Sequence, residues 1–100
     1  MKLIDQNIGS IQSLCKQHNV AQLFVFGSVL NEDFSLESDI DFIVDFNDID
    51  LMHYADNYFN LKFSLEELLK REIDLLENKA IKNPYLRNSI DFNKKLVYGQ

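Results

Sequence analysis

The sequence predicts an α/β (α+β) fold, a small mixed β-sheet of about three strands flanked by helices, and three observations carry that prediction. The opening segment repeats apolar residues at helical spacing: Ile4, Ile8, Ile11 and Cys15. The stretch Asp39–Phe46 (DIDFIVDF) alternates with period two, the mark of a strand with one face in a core. Two shorter runs rich in strand formers, Gln22–Phe26 (QLFVF) and Glu72–Leu76 (EIDLL), stand before and after it. A chain of 100 residues is expected to form one domain over residues 1–100, with room for a single core.

Taken in order, Lys2–Gln17 reads as one amphipathic helix, with Leu14 beside its apolar stripe and His18-Asn19 ending it. QLFVF is a buried strand. Gly27-Ser28 follows at once, then a helical turn or short helix over Val29–Asp33 and a loop over Phe34–Glu37. In the alternating strand, Ile40, Phe42, Val44 and Phe46 share the core face; Asp39, Asp41, Ile43 and Asp45 share the other. Asn47–Asp50 is a turn, with Asp48 or Asp50 available as an N-cap. Leu51, Ala55, Tyr58, Leu61, Leu65 and Leu68 mark a long helix to about Lys70. EIDLL is the third strand. Pro84 suits the first turn of a last helix over Pro84–Lys95, and Leu96–Tyr98 is a terminal extension. The order is αβ(α)βαβα. The short connection between the first two strands predicts an antiparallel pair and a mixed sheet.

Composition narrows the function classes. A hydrophobic share of 46% with 26% charged residues is ordinary for a globular protein, and the 8 Phe and 4 Tyr can fill a small core. The single cysteine, Cys15, excludes an intrachain disulfide and suits core packing. No apolar run approaches a membrane span and no signal peptide opens the chain, so the expectation is a cytoplasmic protein with no membrane partner. A net charge of −6 argues against direct nucleic-acid binding through a basic face. It permits a cation site.

The informative stretch is GSVLNEDFSLESDID, Gly27–Asp41: Gly-Ser, ten residues, then Asp-x-Asp. Gly27 lets the backbone turn sharply off the strand and approach a ligand. Ser28 would open a helical turn whose free N–H groups and hydroxyl suit phosphate oxygens, and a mere capping role is compatible with that. Asp39 and Asp41, two apart on a strand, project from one face and repel each other. A hard divalent cation with oxygen ligands removes that repulsion, and Mg²⁺ with a triphosphate is the usual case. Asp74 lies between Ile73 and Leu75 and so faces away from both. Asp45 lies further along the same face as the pair and reads as peripheral. His18 and His53 lack partners at ligand spacing and read as surface or helix-end residues. The stripe Tyr54, Tyr58, Phe59 and Phe63 reads as core, with part left for an interface. Lys70-Arg71, Lys79 and Lys82 read as solvated surface.

On these residues the chain resembles the polymerase-beta-like nucleotidyltransferase superfamily, and within it the minimal nucleotidyltransferase (MNT) antitoxins that pair with HEPN toxins. The resemblance runs from QLFVF with Gly27-Ser28, through SDIDFIVDF and EIDLL, to the tail NPYLRNSIDFNKKLVYG. It implies a nucleotidyltransferase fold. It implies that Asp39 and Asp41 hold two Mg²⁺ ions, that Gly27 and Ser28 hold the β- and γ-phosphates of ATP, and that Asp74 binds metal and acts as general base. It implies a protein adenylyltransferase that moves AMP from ATP to a hydroxyl of the HEPN toxin, a tyrosine hydroxyl in the first instance. Many relatives carry an arginine shortly after the Gly-Ser; Val29-Leu30-Asn31-Glu32-Asp33 has none. The alternative is therefore a non-catalytic antitoxin that neutralises its toxin by direct binding, with a vestigial or regulatory nucleotide site. The resemblance leaves a homo-oligomer and a hetero-oligomer with the toxin both open.

Overall fold

The computed structural model describes residues 2–26 and 39–99. Gly27, Ser28, the short helix expected at Val29–Asp33 and the loop expected at Phe34–Glu37 lie outside the described residues. The elements are helices α1 (Lys2–Gln6) and α2 (Ile8–Gln17), strands β1 (Val20–Phe26) and β2 (Ile40–Phe46), helix α3 (Leu51–Leu69), strand β3 (Ile73–Glu77), a 3₁₀ turn (Asn78–Ala80), helix α4 (Pro84–Asn93) and strand β4 (Lys95–Tyr98).

The sheet order is β3-β2-β1-β4. Strand β1 pairs antiparallel with β2 and with β4, and β2 pairs parallel with β3, so the sheet is mixed as expected. The parallel pair requires a crossover, which α3 supplies. Helices α1–α3 lie on one face. Ile4, Ile11 and Cys15 from the first two, and Leu61, Leu65 and Leu69 from the third, join Leu23, Val25, Phe42, Val44 and Leu75 in one buried cluster. Each such side chain, fully removed from water, stabilises the fold by roughly 1.5–3 kcal/mol before chain entropy is counted.

Four expectations need correction. The first helix is two helices. Asn7 has φ −112 and ψ 11, its amide N–H donates to the Ile4 carbonyl, and its side-chain amide donates to the Leu3 carbonyl at 2.8 Å. An asparagine that offers the backbone a local partner in this way competes with the helix ladder. The tail is not an extension but the fourth strand: Val97 is buried, and Gly99, at φ +98, lies so close to β1 that a Cβ would stand 2.3 Å from the Ala21 carbonyl oxygen. Ile43 is buried on the face assigned to the aspartates. That face is partly covered by α4, whose Ile90 is also buried outside the main cluster. The apolar stripe of α3 reaches the core only from Tyr58 onward; Leu51 is 89% exposed. Asp50 is the N-cap of α3, and Asn83 caps α4 just before Pro84.

Candidate active site

Asp41 and Asp74 are register partners on the parallel strands β2 and β3. Paired residues share a face, and the core face is held by Ile40, Phe42, Ile73 and Leu75, so both aspartates stand on the face away from α1–α3. Local sequence fixes that register. Lys70 takes a left-handed conformation (φ 57, ψ 38) at the end of α3 and turns the chain back toward the sheet. The Ile73 amide donates to a Glu66 carboxylate oxygen at 3.1 Å, and the Ile40 amide to the Glu72 carbonyl at 3.1 Å. These bonds tie down the first residues of both strands, one step before each aspartate. Asp39 sits at the entry of β2, exposed, two residues before Asp41.

The electrostatics place the three carboxylates in one neighbourhood. The Asp41 carboxyl is half-buried, and its pKa is raised above the ordinary value by burial first, then by the charge of Asp74, then by that of Asp39. Strand geometry puts the Cα atoms of Asp41 and Asp74 about 4.8 Å apart, and the two chain steps from Asp39 to Asp41 hold their Cα atoms within about 7 Å. Among the described residues no three acidic, His or Cys side chains stand close enough together to hold an ion as they are. Coordination needs the carboxylates to rotate inward, within the reach of a side chain that branches two bonds from the backbone. The donor set fits a hard divalent cation: all oxygen, exposed at two positions, and repelling at the third in a way that a cation offsets.

The structure thus sets Asp41 and Asp74 side by side, with Asp39 at the entry of β2, while Gly27 and Ser28 lie outside the described residues. Asp45 is peripheral, as expected, and it has a partner: the Asn78 side-chain amide donates to it at 2.9 Å. Asn78 also accepts from Arg87 of α4 at its side-chain oxygen, and its carbonyl accepts from the same guanidinium at 2.6 Å. A further Arg87 bond reaches the Ile81 carbonyl at 3.3 Å. This chain of bonds links α4 through the 3₁₀ turn to Asp45 of β2. No spacing in the sequence announces it. Tyr58 donates its hydroxyl to the Leu75 carbonyl, one residue beyond Asp74, and its pKa is raised by burial and then by Glu77 and Asp74. Of the stripe read as core with part left for an interface, Phe59 and Phe63 are 47% and 57% exposed and stack with ring centroids 6.0 Å apart. His53 stands beside Asp50 at the surface and His18 closes α2, as expected. An open groove of about 580 Å³ between α2 and α3, lined by Gly9, Ser13, Ser64 and Lys70 among others, lies on the helical side of the sheet and touches none of the aspartates.

Comparison with known proteins converges on one family. A family model described as polymerase beta, nucleotidyltransferase, matches residues 9–100. Two proteins of Methanocaldococcus jannaschii, each named as a candidate protein adenylyltransferase, are similar in sequence. One is 33% identical over 82 residues, which is 82% of this chain and 79% of the relative. The other is 34% identical over 85 residues, 85% of this chain and 82% of the relative. A solved structure of a candidate minimal nucleotidyltransferase superposes with a TM-score of 0.77 at 26% identity, covering 94% of this chain and 92% of that one. The complex of a tri-AMPylated Shewanella oneidensis HEPN toxin with its MNT antitoxin superposes with a TM-score of 0.66 at 20% identity, covering 96% of this chain and 72% of the other. That last likeness is one of fold.

Proposed function

This chain belongs to the polymerase beta nucleotidyltransferase family, and from that membership we propose that it is a Mg²⁺-dependent protein adenylyltransferase, the antitoxin of a HEPN/MNT pair, that moves AMP from ATP to a tyrosine hydroxyl of its toxin. One observation carries the site: Asp41 and Asp74 are register partners on parallel strands, with Asp39 adding its charge to the same carboxyl. The curated relatives support the reaction class by their names, and the toxin–antitoxin complex of the same fold supports the partner class.

Asp39, Asp41 and Asp74 would hold the metal ions, and Gly27 with Ser28 the β- and γ-phosphates. Bound Mg²⁺ supplies charge neutralisation for the triphosphate and for the oxygens exchanged at the α-phosphorus. Asp74, exposed on β3, can accept the proton of the incoming hydroxyl. The hydroxyl oxygen forms a bond to the α-phosphorus as the bond from that phosphorus to the bridging oxygen breaks, and pyrophosphate leaves with the electron pair. Asp39 and Asp41 would fix the position of the triphosphate through the ions they hold. Asp74 is exposed on β3, so an acceptor carried on another protein can approach it.

The absence of any Lys or Arg from residue 27 to residue 41 favours, as the second reading, an antitoxin that acts by contact alone. Intact mass spectrometry of a HEPN-domain partner after incubation with ATP, Mg²⁺ and this chain separates the two. An added AMP mass with the parent protein, and a transfer rate lower by roughly 10²–10⁴ with Asp74→Asn, is the expected result. A partner silenced with its mass unchanged would replace the transferase by the contact mechanism.

A further inference from the structure

The segment from Gly27 to Asp41 contains acidic residues and no cation, although three carboxylates gather at its end. Two Mg²⁺ ions and a nucleoside triphosphate beside three aspartates leave that neighbourhood negative. A cation must come from elsewhere in the chain or from a partner.

The sheet supplies one. Across the strands, Asp74 of β3 pairs with Asp41 of β2, and Asp41 pairs with Phe26 of β1. On the far side of β1, the last pair of the antiparallel ladder is Val25 with Lys95 of β4, and Lys94, extended at φ −76 and ψ 151, continues from it toward the Phe26 end of β1. Lys94 therefore lies near the cross-strand row of the two aspartates, about two strand spacings, or roughly 10 Å, from Asp41. Its side chain is on their face of the sheet: the ammonium stands 4.4 Å from the ring centroid of Phe24, which pairs with Ile43. Phe24 and Asp41 are diagonal neighbours on that face. The Lys94 side chain is 27% exposed, with its ammonium beside the Phe24 ring.

Lys94 is also only lightly committed. It donates to one Asp91 carboxylate oxygen at 3.0 Å, a surface pair three residues apart on the chain. Arg87, the other cation of α4 near this face, is held by Asn78 and by two carbonyls. Arg87 also stands 3.6 Å from the same Asp91 oxygen, so that carboxylate keeps a cation if Lys94 turns away. A surface ion pair is weak enough to exchange for a multiply charged anion.

We propose that Lys94 is a phosphate-binding cation of the aspartate site, taking the terminal phosphates of a nucleoside triphosphate held between Asp41 and the end of β1. The proposal rests on the reading of that site as a nucleotide site and adds the residue that sets its preference for a triphosphate. Lys94 acts in binding, not in the proton transfer assigned to Asp74.

The test is equilibrium binding of Mg·ATP and of AMP to the parent, Lys94→Gln, Lys94→Arg and Lys95→Gln, each first shown to be folded by its melting curve. Loss of one charge-assisted contact at a partly exposed site should raise the Kd for Mg·ATP about tenfold in Lys94→Gln. AMP binding should change by less than about twofold, because AMP lacks the terminal phosphates. Lys94→Arg should stay within about threefold of the parent, since arginine keeps both the charge and the stacking on Phe24. Lys95→Gln should bind as the parent does. Equal Mg·ATP affinity in Lys94→Gln and parent would overturn the proposal while leaving the nucleotide site intact. Equal weakening of ATP and AMP would make Lys94 a structural residue. A parent that binds no ATP would remove the nucleotide reading and this inference with it.

Discussion

Asp41→Asn should stabilise the protein in metal-free buffer, and the reason is the charge placed around that carboxyl. Asp74 lies about 5 Å away across the ladder by strand geometry, and Asp39, at the entry of β2, at most about 7 Å away along the chain. At the dielectric constant of water the two repulsions come to about 0.8 and 0.6 kcal/mol. Salt at physiological strength cuts them by roughly half at these distances. The partial burial of Asp41 adds to what remains, since it too disfavours the charged form, so the penalty for ionising it is about 1 kcal/mol. The linkage has a definite sign. The native pKa of Asp41 is raised above its ordinary 3.8, so in the window just above 3.8 the native state binds more protons than the unfolded chain. Stability is therefore lost as pH rises through that window. Asparagine has the same shape and no charge. The variant should match the parent below about pH 3.8 and gain on it up to neutral pH, where its Tm should be higher by about 4–8 °C for a domain of this size. Thermal unfolding followed by circular dichroism in EDTA, from pH 3 to pH 7.5, reads both. Adding Mg·ATP should reverse the order, since ligand that binds only the folded state raises the parent's Tm by mass action and has lost its anchor in the variant. An Asp41→Asn protein that melts at or below the parent at neutral pH without metal would refute the electrostatic argument.

Three further outcomes follow from the packing. Arg87→Ala should destabilise by about 2–3 kcal/mol in urea unfolding, because its charge-assisted bonds to Asn78 and Ile81 tie α4 to the 3₁₀ turn that follows β3; Arg87→Lys should recover less than half, lacking the planar fork. Tyr58→Phe removes the hydroxyl that donates to the Leu75 carbonyl and should cost about 1 kcal/mol, read as a lower urea midpoint at unchanged slope. Cys15, whose thiol is pushed up to about 12 by burial, should resist alkylation at pH 8 in the native protein and react once denaturant has unfolded it, as peptide mass mapping would show.

The part of the site that was legible in the sequence is the part set by short-range periodicity. Asp41 faces away from Ile40 and Phe42, and Asp74 away from Ile73 and Leu75, because strands alternate; Asp39 stands one residue before β2. That β2 and β3 run side by side, with Asp41 level with Asp74, is a tertiary fact that depends on α3 carrying the chain across the sheet. Periodicity misled where a second layer intervened. Ile43 looked misplaced among aspartates until α4 covered it, and Leu51, Phe59 and Phe63 carry helical spacing but face solvent. The fourth strand was hidden by its length of four residues, too short to show alternation, and is held by pairing with β1. The break at Asn7 depends on a side-chain bond to Leu3 that no propensity scale counts. Lys94 and the Asn78–Arg87 link were beyond reach, since their partners lie on other elements and nothing in their spacing marks them.

The central claim, that Asp39, Asp41 and Asp74 form one metal–nucleotide centre, is tested most directly by anomalous diffraction from crystals grown with Mn²⁺ and a non-hydrolysable ATP analogue. Mn²⁺ prefers the same oxygen ligands as Mg²⁺ and reports its own position. The account predicts an anomalous peak in direct contact with carboxylate oxygens of Asp39 and Asp41, Asp74 turned toward it, and the triphosphate bridging from the ion toward the end of β1. A peak elsewhere on the molecule, or an analogue bound away from these three aspartates, would contradict it.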